Sequence, residues 1–315
     1  IDTLGQQCQS LGNFFSSAVN NILQNTKLQS EDISAIGSHG QTIRHRPEFK
    51  HPFTLQIGDP NIIAYNTGIT TIADFRRRDV AAGGQGAPLA PAFHRAVFHN
   101  KEENRVIINI GGISNITWIP SASNLPCLGF DTGPGNGLLD LWCKKHTGRD
   151  FDKQGQWAKS GTPIKSLLDE LLAFYYFDTP PPKSTGKEQF NEEWLNHYLK
   201  PYSASKPEDI QSTLLELTVI SLKNAINTHC DNASNLYVCG GGALNTYLME
   251  RLASACNLPT TSTLDIGVDP EWVEAIAFAW LARQTKHNLV GNLPSVTGAT
   301  QQVILGGVYP GRNGL

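Results

Sequence analysis

Three glycine-rich turns constrain this chain more than any other feature of its sequence. Each follows a short apolar segment, and they are Gly111-Gly112, Gly133-Pro134-Gly135 and Gly240-Gly241-Gly242. Glycine where a strand ends lets a ligand approach the backbone closely, and a helix that begins there offers N–H groups to an anion. One such turn is equally consistent with a simple tight turn. Three turns, two of which lead into helices, favour a nucleotide-binding protein, although neither common phosphate-loop pattern is present.

The pattern around these turns predicts an α/β protein with mixed sheets flanked by helices. Residues 106–110 and 115–119 are predicted to form a β-hairpin, and later strands alternate with helices. A hairpin favours a mixed sheet over a purely parallel one. A chain of 315 residues exceeds one ordinary core, so we expect two domains, 1–104 and 105–315.

Composition excludes several classes of protein. A net charge of −3 gives no basic field for nucleic acid or a membrane surface, and no apolar run reaches the roughly 20 residues of a membrane span. The six cysteines form no C-x-x-C pair and the nine histidines form no metal-type cluster. These observations predict a cytoplasmic protein with reduced thiols and no built-in metal site.

Asp131 is the first candidate for a catalytic acid or base. It follows a predicted strand and precedes a glycine-rich helix entry, a place where α/β proteins collect reactive groups. The alternative is that Asp131 only caps the next helix through its side chain. Local sequence leaves both interpretations open.

Other polar residues carry weaker signals. Glu274 lies on a helix that is apolar almost all round, so we expect it to be buried and to have a function or a structural partner. Of Arg76, Arg77 and Arg78, only some can face one anionic group. His39 is either a ligand contact or a hydrogen-bonded loop histidine. Residues 184–187 lack a preceding strand and are predicted to be a solvated loop.

Several longer segments resemble the anhydro-N-acetylmuramic acid kinase family, and they occur in the expected order along essentially the whole chain. The segments are Gly37-Ser38-His39-Gly40-Gln41-Thr42-Ile43, Ala73-Asp74-Phe75-Arg76-Arg77-Arg78-Asp79 through Gly86-Ala87-Pro88-Leu89, Asn109-Ile110-Gly111-Gly112-Ile113-Ser114-Asn115, Phe130-Asp131-Thr132-Gly133-Pro134-Gly135-Asn136, Gly240-Gly241-Gly242-Ala243 and Glu274-Ala275-Ile276-Ala277-Phe278-Ala279. Single glycine turns are weak evidence, whereas the ordered set is specific.

The resemblance implies the two-domain fold of actin, hexokinase and Hsp70-type ATPases, with ATP as the phosphoryl donor. Gly111 and Gly112 would form a phosphate hairpin and Gly240, Gly241 and Gly242 an adenosine turn. Gly133 and Gly135 would complete the cofactor-binding set.

The family's reaction would hydrolyse the 1,6-anhydro bridge of the sugar and phosphorylate O6, giving N-acetylmuramic acid 6-phosphate in peptidoglycan recycling. The resemblance makes Asp131 the base that activates water and adds Mg²⁺ to neutralise the phosphates. Arg78, Glu274, His39 and Thr132 would contact the sugar. The resemblance also implies that the protein forms a homodimer.

The resemblance fails at the front of the chain. Nothing before Ile33 resembles the family's first phosphate hairpin, and residues 1–25 have a helical pattern, so we expect an N-terminally truncated chain with an incomplete first domain. Two alternatives to an active kinase of this family stay open. One is a non-catalytic relative that binds muramyl sugar or nucleotide, and the other is a different sugar kinase of the same fold.

Overall fold

The computed structural model describes residues 1–312 and is a mixed α/β protein, as the sequence predicts. Its helices are α1 (Asp2–Thr26), α2 (Pro60–Thr67), α3 (Phe75–Ala81), α4 (Ala90–Phe98), α5 (Asn136–Thr147), α6 (Gln156–Ser160), α7 (Lys165–Leu172), α8 (Glu192–Leu199), α9 (Pro207–His229), α10 (Thr246–Cys256), α11 (Val273–Lys286) and α12 (Pro294–Thr297). Its strands are β1 (Ile36–Ser38), β2 (Gln41–Arg46), β3 (Phe53–Ile57), β4 (Thr71–Ala73), β5 (Arg105–Ile110), β6 (Ile113–Ile119), β7 (Leu128–Pro134), β8 (Asn235–Cys239), β9 (Thr260–Ser262) and β10 (Gly307–Tyr309).

The chain divides into two compact units, which are described separately. The first comprises Ile1–Phe93 with Glu274–Leu315, and the second comprises His94–Val273. No helix within residues 1–312 is long and apolar enough to span a membrane.

The first unit contains two small sheets. In one, β1 pairs parallel with β4, and β10 pairs antiparallel with the other edge of β4. The other is the β2–β3 hairpin, which has an irregular register at Thr42 and Arg44. A buried cluster packs against the first sheet and includes Ile72, Phe75 and Leu281. Each of these three side chains is at most 1% exposed, so this cluster is the packing centre of the unit.

The C-terminal segment belongs to the first unit, which differs from the predicted division at residue 105. Strand β10 forms its backbone hydrogen bonds with β4, and Leu281 of α11 joins the cluster around Ile72. Residues 274–312 therefore pack with the N-terminal part of the chain. The other difference is residues 94–104, which group with the second unit.

A five-stranded mixed sheet organises the second unit, in the order β7-β6-β5-β8-β9. Strands β5, β6 and β7 are antiparallel neighbours, while β8 lies parallel to β5 and β9 lies parallel to β8. The predicted hairpin is confirmed, with Gly111-Gly112 as its turn. Val106, Ile108 and Ile110 are fully buried because they lie on alternate positions of β5, which point to the same face of the sheet.

Helix α9 covers this buried face. Leu214, Leu217 and Leu222 are each at most 1% exposed and belong to the same buried cluster as the β5 residues. Pro207 occupies the first turn, where its missing N–H costs no helical hydrogen bond, and Glu208 and Asp209 complement the helix dipole. The sequence predicts this helix and its broad buried side correctly.

Candidate functional site

The Gly111-Gly112 turn packs directly on the N-terminus of α5. The amide N–H groups of Gly135 and Gly137 donate to the Gly112 carbonyl at 3.1 and 3.0 Å, and that of Asn136 donates to the Gly111 carbonyl at 2.7 Å. The sequence predicts that the start of this helix offers its N–H groups to a ligand anion. That prediction is wrong for these three amides, because the hairpin turn already accepts their hydrogen bonds.

Four of the predicted cofactor-binding glycines have reasons within the protein to be glycine. A Cβ on Gly135 would lie 2.4 Å from the Gly111 carbonyl oxygen, and one on Gly242 would lie 2.4 Å from Ile110 Cβ. Gly133 and Gly240 have φ angles of 139° and 76°, a region that other residues rarely adopt. These four glycines therefore shape the turns.

At the other three glycines an added Cβ would make only ordinary van der Waals contacts. The nearest atom to a Cβ built on Gly111 is the Ile113 carbonyl oxygen at 3.7 Å, and on Gly241 it is Asn136 Nδ2 at 3.5 Å. A Cβ on Gly112 would lie 3.5 Å from Lys187 Cε. Neither a positive φ nor close packing therefore requires glycine at these three positions.

Asp131 lies within β7 and does not cap α5. The N-cap of α5 is Gly135, four residues later, and no side chain caps this helix. Asp131 Oδ2 instead accepts a hydrogen bond from the Thr185 N–H at 3.0 Å, and the backbone carbonyl of Asp131 accepts one from the Tyr176 hydroxyl at 2.8 Å. The capping interpretation is therefore excluded, and the carboxylate is held in a fixed orientation by a loop from elsewhere in the chain.

That loop, residues 183–187, is the part of the site that the sequence did not reveal. The Asp131 N–H donates to the Lys183 carbonyl at 3.3 Å, so the loop runs alongside β7. Lys183 is buried, and its ammonium group donates to the carbonyls of Tyr176 and Phe177 at 3.0 and 3.2 Å. Burial lowers the pKa of Lys183 and raises that of Tyr176. The prediction that residues 184–187 form a solvated loop is wrong for Thr185, which is partly buried and hydrogen-bonded to Asp131.

A cavity of about 290 Å³ lies beside Gly241. Among its lining residues, Asp152 accepts two backbone hydrogen bonds at the start of α6, from Trp157 and Ala158. Burial raises the pKa of Asp140 to about 6, and the charge of Lys187 opposes this shift. The remaining lining residues combine amides, carboxylates and apolar groups: Asn136, Leu139, Phe151, Gln154, Leu244, Asn245 and Glu271.

Thr132 lies beside Asp131 but points its hydroxyl into the protein. Thr132 is 2% exposed, and its Oγ1 lies 2.9 Å from Ser114 Oγ and donates to the Ser114 carbonyl at 3.1 Å. It also lines a cavity of about 480 Å³ together with Lys183 and His229. The hydroxyl of Thr132 therefore joins β6 to β7, and a sugar contact through this group would require these bonds to be exchanged.

In the first unit, His39 lies at the end of β1 in a cavity of about 120 Å³ lined also by Asp74, Gln56 and Tyr309. Arg76 Nε donates to His39 Nε2 at 3.0 Å, which leaves the ring proton on Nδ1. Burial, with a smaller effect of Arg76, lowers the pKa of His39 to about 4. His39 is therefore a neutral ring at the wall of a small pocket.

The three arginines of α3 have different surroundings. Arg76 also donates to the Gly86 carbonyl at 2.7 Å, and Arg77 pairs with Asp74 at 3.5 Å. Arg78 is exposed, and no described ion pair includes it. Asp74 itself has a φ of 61°, unusual outside glycine, and backbone strain of this kind clusters at functional sites. Arg78 therefore keeps its guanidinium available to a ligand, and Asp74 is a candidate that the sequence did not single out.

Asp79 organises the glycine-rich loop that follows α3. It is fully buried, and its carboxylate accepts hydrogen bonds from the Gly86 N–H, Asn292 Nδ2 and Thr297 Oγ1 at 2.7, 2.7 and 2.8 Å. A Cβ on Gly84 would collide with this carboxylate, which explains one of the loop's glycines. The loop is thus fixed to a segment more than 200 residues away.

The expectation of a buried Glu274 is wrong. Helix α11 buries one side through Val273, Ala277 and Leu281, whereas Glu274 is exposed. Trp272, just before the helix, and Ile276 are 60% and 40% exposed, so large apolar residues do not mark a buried side here. Glu274 is therefore not a buried carboxylate in need of a partner, and a role for it depends on a ligand that reaches it from solvent.

Comparison with solved structures gives only distant likenesses. The activator of the 2-hydroxyisocaproyl-CoA dehydratase from Clostridium difficile, with bound ADPNP, is 16% identical over 69% of this chain and 70% of that chain, with a TM-score of 0.38. A ligand-bound xylulose kinase from Lactobacillus acidophilus is 13% identical over 62% of this chain and 40% of that chain, with a TM-score of 0.37. At these TM-scores the likenesses support no inference about this chain.

Comparison by sequence is far more specific. A family model described as anhydro-N-acetylmuramic acid kinase matches residues 1–311. Curated proteins of that name are similar along nearly the whole chain: one from Coxiella burnetii (strain Dugway 5J108-111) is 54% identical over 99% of this chain and 84% of its own length. Another, from Shewanella pealeana, is 50% identical over 98% of this chain and 84% of its own length. The chain belongs to the anhydro-N-acetylmuramic acid kinase family.

Proposed function

We propose that the protein is an ATP-dependent kinase that opens the 1,6-anhydro ring of anhydro-N-acetylmuramic acid and phosphorylates O6, giving N-acetylmuramic acid 6-phosphate for peptidoglycan recycling. The observation that carries the proposal is the match to this family over residues 1–311, with named relatives 50–54% identical. Neither a non-catalytic relative nor another sugar kinase is favoured by any feature of the described residues.

Asp131 is the proposed general base. Its carboxylate does not cap a helix, and the Thr185 N–H fixes its orientation at 3.0 Å, which suits a group that must meet one water molecule repeatedly. Asp131 removes a proton from the water that attacks C1 of the sugar. The C1–O6 bond breaks as the C1–OH bond forms, and the electron pair of the broken bond stays on O6.

The O6 oxygen then attacks the γ-phosphorus of ATP, and the bond to the β-phosphate oxygen breaks to release ADP. The proton taken by Asp131 is the only one released. One anhydro sugar, one water and one ATP therefore give one sugar phosphate, one ADP and one proton. Phosphoryl transfer of this kind depends mainly on positioning and on stabilising negative charge.

The nucleotide is proposed to lie against the three glycines at which neither φ nor close packing requires glycine. Gly111 and Gly112 would approach the phosphates, and Gly241 would approach the nucleoside, with the cavity of about 290 Å³ beside it. That volume is close to the lower end of ordinary ligand pockets, about 300 Å³. Gly133, Gly135, Gly240 and Gly242 shape these turns and are proposed to act on the nucleotide only through them.

Arg78, His39, Glu274 and Thr132 remain the proposed sugar contacts. Arg78 is supported by its exposed guanidinium, and His39 by its place in a small pocket as a neutral ring. Glu274 is exposed, so it could reach a ligand without a burial cost. Thr132 has the weakest support because its hydroxyl is 2.9 Å from that of Ser114.

ATP is proposed to enter as its Mg²⁺ complex. No group of three or more metal-type side chains occurs within residues 1–312, which fits an ion carried by the nucleotide phosphates and water with one or two carboxylates at most. Asp140, which lines the cavity beside Gly241, would be a candidate carboxylate. Bound in this way, the ion would neutralise phosphate charge.

Location in the cytoplasm and assembly as a homodimer complete the proposal. Sedimentation of the purified protein tests whether it is a dimer.

A product assay tests the proposed function. The protein is incubated with ATP and anhydro-N-acetylmuramic acid, and the products are identified by mass spectrometry and phosphorus NMR. We expect N-acetylmuramic acid 6-phosphate and one ADP per sugar, with no product from glucose. Phosphorylation of glucose would favour another sugar kinase. Binding of the anhydro sugar by calorimetry without any turnover would favour a non-catalytic relative.

A further inference from the structure

The loop that contacts Asp131 continues to Lys187, a residue to which the proposed function gives no role. Thr185 is held at two points, since its N–H donates to Asp131 Oδ2 at 3.0 Å and its hydroxyl donates to Gln189 Oε1 at 2.6 Å. The Gly186 carbonyl accepts hydrogen bonds from the N–H groups of Gln189 and Phe190, each at 3.1 Å. Backbone contacts therefore fix the chain on both sides of Lys187.

The side chain of Lys187 extends to the hairpin turn between β5 and β6. Its Cε is the nearest atom, at 3.5 Å, to the position that a Cβ would occupy on Gly112. Gly112 is one of the glycines that neither φ nor packing explains. A cation thus lies beside the backbone surface where a ligand is expected to approach.

Lys187 forms none of the ion pairs found among residues 1–312, and its side chain is exposed. The charge of Lys187 opposes the rise in the pKa of Asp140 that burial causes, and Asp140 lines the cavity beside Gly241.

We propose that Lys187 binds the phosphate chain of the nucleotide at the Gly111-Gly112 turn, so that one loop both orients Asp131 and neutralises the phosphates. A lysine ammonium is a compact cation with three donors that suits phosphate oxygens. Because Lys187 and Thr185 are two residues apart, the loop couples the position of the base to that of the phosphates. This inference rests on the proposed function, since it assigns a residue to the phosphates of the same nucleotide.

Calorimetry on the full-length protein tests the proposal by comparing ATP with adenosine, which has no phosphates. Lys187→Met should weaken ATP binding about tenfold, which corresponds to about 1.4 kcal/mol, while adenosine binding stays within about twofold. Lys187→Arg should retain most of the ATP affinity. Lys101→Met removes an exposed lysine from another loop of the same unit and should change neither affinity.

Salt dependence gives a second measurement. An interaction between exposed charges weakens as ionic strength rises, so ATP affinity should fall more steeply with salt in the parent protein than in Lys187→Met. Equal ATP affinity and equal salt dependence in the two proteins would overturn the proposal. Equal losses for ATP and adenosine would also overturn it, since they would indicate a distorted loop. If the parent protein binds ATP but yields no sugar phosphate, the proposed function fails. The comparison of ATP and adenosine binding still tests the role of Lys187 in that case.

Discussion

Gly240 and Gly241 are neighbours in one turn, yet replacing each with alanine should have opposite consequences. Gly240 has φ 76° and ψ 179°, a combination essentially restricted to glycine. A Cβ there would lie 2.5 Å from Asn109 Oδ1 and 2.9 Å from the Ile110 carbonyl oxygen. Gly241 has neither problem, because its Cβ would meet only Asn136 Nδ2 at 3.5 Å, an ordinary contact.

The magnitudes follow from these distances. Strain at Gly240→Ala costs about 1–3 kcal/mol, and the two short contacts add about 1–3 kcal/mol. A domain the size of the second unit loses about 2–4 °C of Tm per kcal/mol, so the transition should move down by at least about 4 °C. Gly241→Ala should keep the parent Tm within about 2 °C.

Nucleotide binding should show the reverse order. In Gly241→Ala the added methyl group lies where the nucleoside is proposed to contact the backbone. The affinities for ATP and adenosine should therefore fall about tenfold or more. Gly241→Val should weaken both further, and affinity for the anhydro sugar should not change. Differential scanning calorimetry and titration calorimetry measure the two effects. Unchanged ATP affinity in Gly241→Val would refute the placement of the nucleotide. An equal Tm loss in both alanine variants would refute the claim that only Gly240 is required by the conformation of the turn.

Two further predictions concern the first unit. Asp79→Ala leaves the Gly86 N–H, Asn292 and Thr297 without their buried acceptor, so we expect a loss of about 3 kcal/mol or more in the free energy of unfolding, measured with urea. A loss below about 1 kcal/mol would contradict this role. The pKa of His39 is lowered to about 4 by burial, so the unfolded chain takes up a proton at higher pH than the folded chain. Stability from this residue is complete above pH about 6.5 and falls as the pH drops toward 4, so His39→Gln should flatten that part of the curve, and identical curves would contradict it.

Local patterns predicted the parts of the second unit in which neighbouring residues pair. The hairpin around Gly111-Gly112 and helix α9 follow from apolar periodicity and turn residues, which act over a few positions. The contact between Thr185 and Asp131 joins residues 54 positions apart and leaves no local signal. A polar loop that follows three consecutive prolines is predicted from sequence to be solvated, because the strand that it contacts is distant along the chain.

The same limit explains the C-terminal segment and Glu274. Strand β10 has three residues and is defined by its pairing with β4, more than 230 positions away. The apolar residues near Glu274 predict a buried helix only if their own side chains are buried. Trp272 is 60% exposed, so this condition fails. Sequence identified the residue types of the candidate site, whereas tertiary contacts decide which of them are accessible.

Asp131→Asn tests the central claim most directly. Asparagine keeps the size of the side chain and its acceptor oxygen for the Thr185 N–H, but it cannot accept a proton at neutral pH. In the full-length protein, turnover with ATP and the anhydro sugar should fall about 10²–10⁴-fold, while the Tm and the affinity for the sugar stay close to those of the parent. A variant that keeps most of the parent turnover would contradict the assignment of Asp131 as the base that activates water.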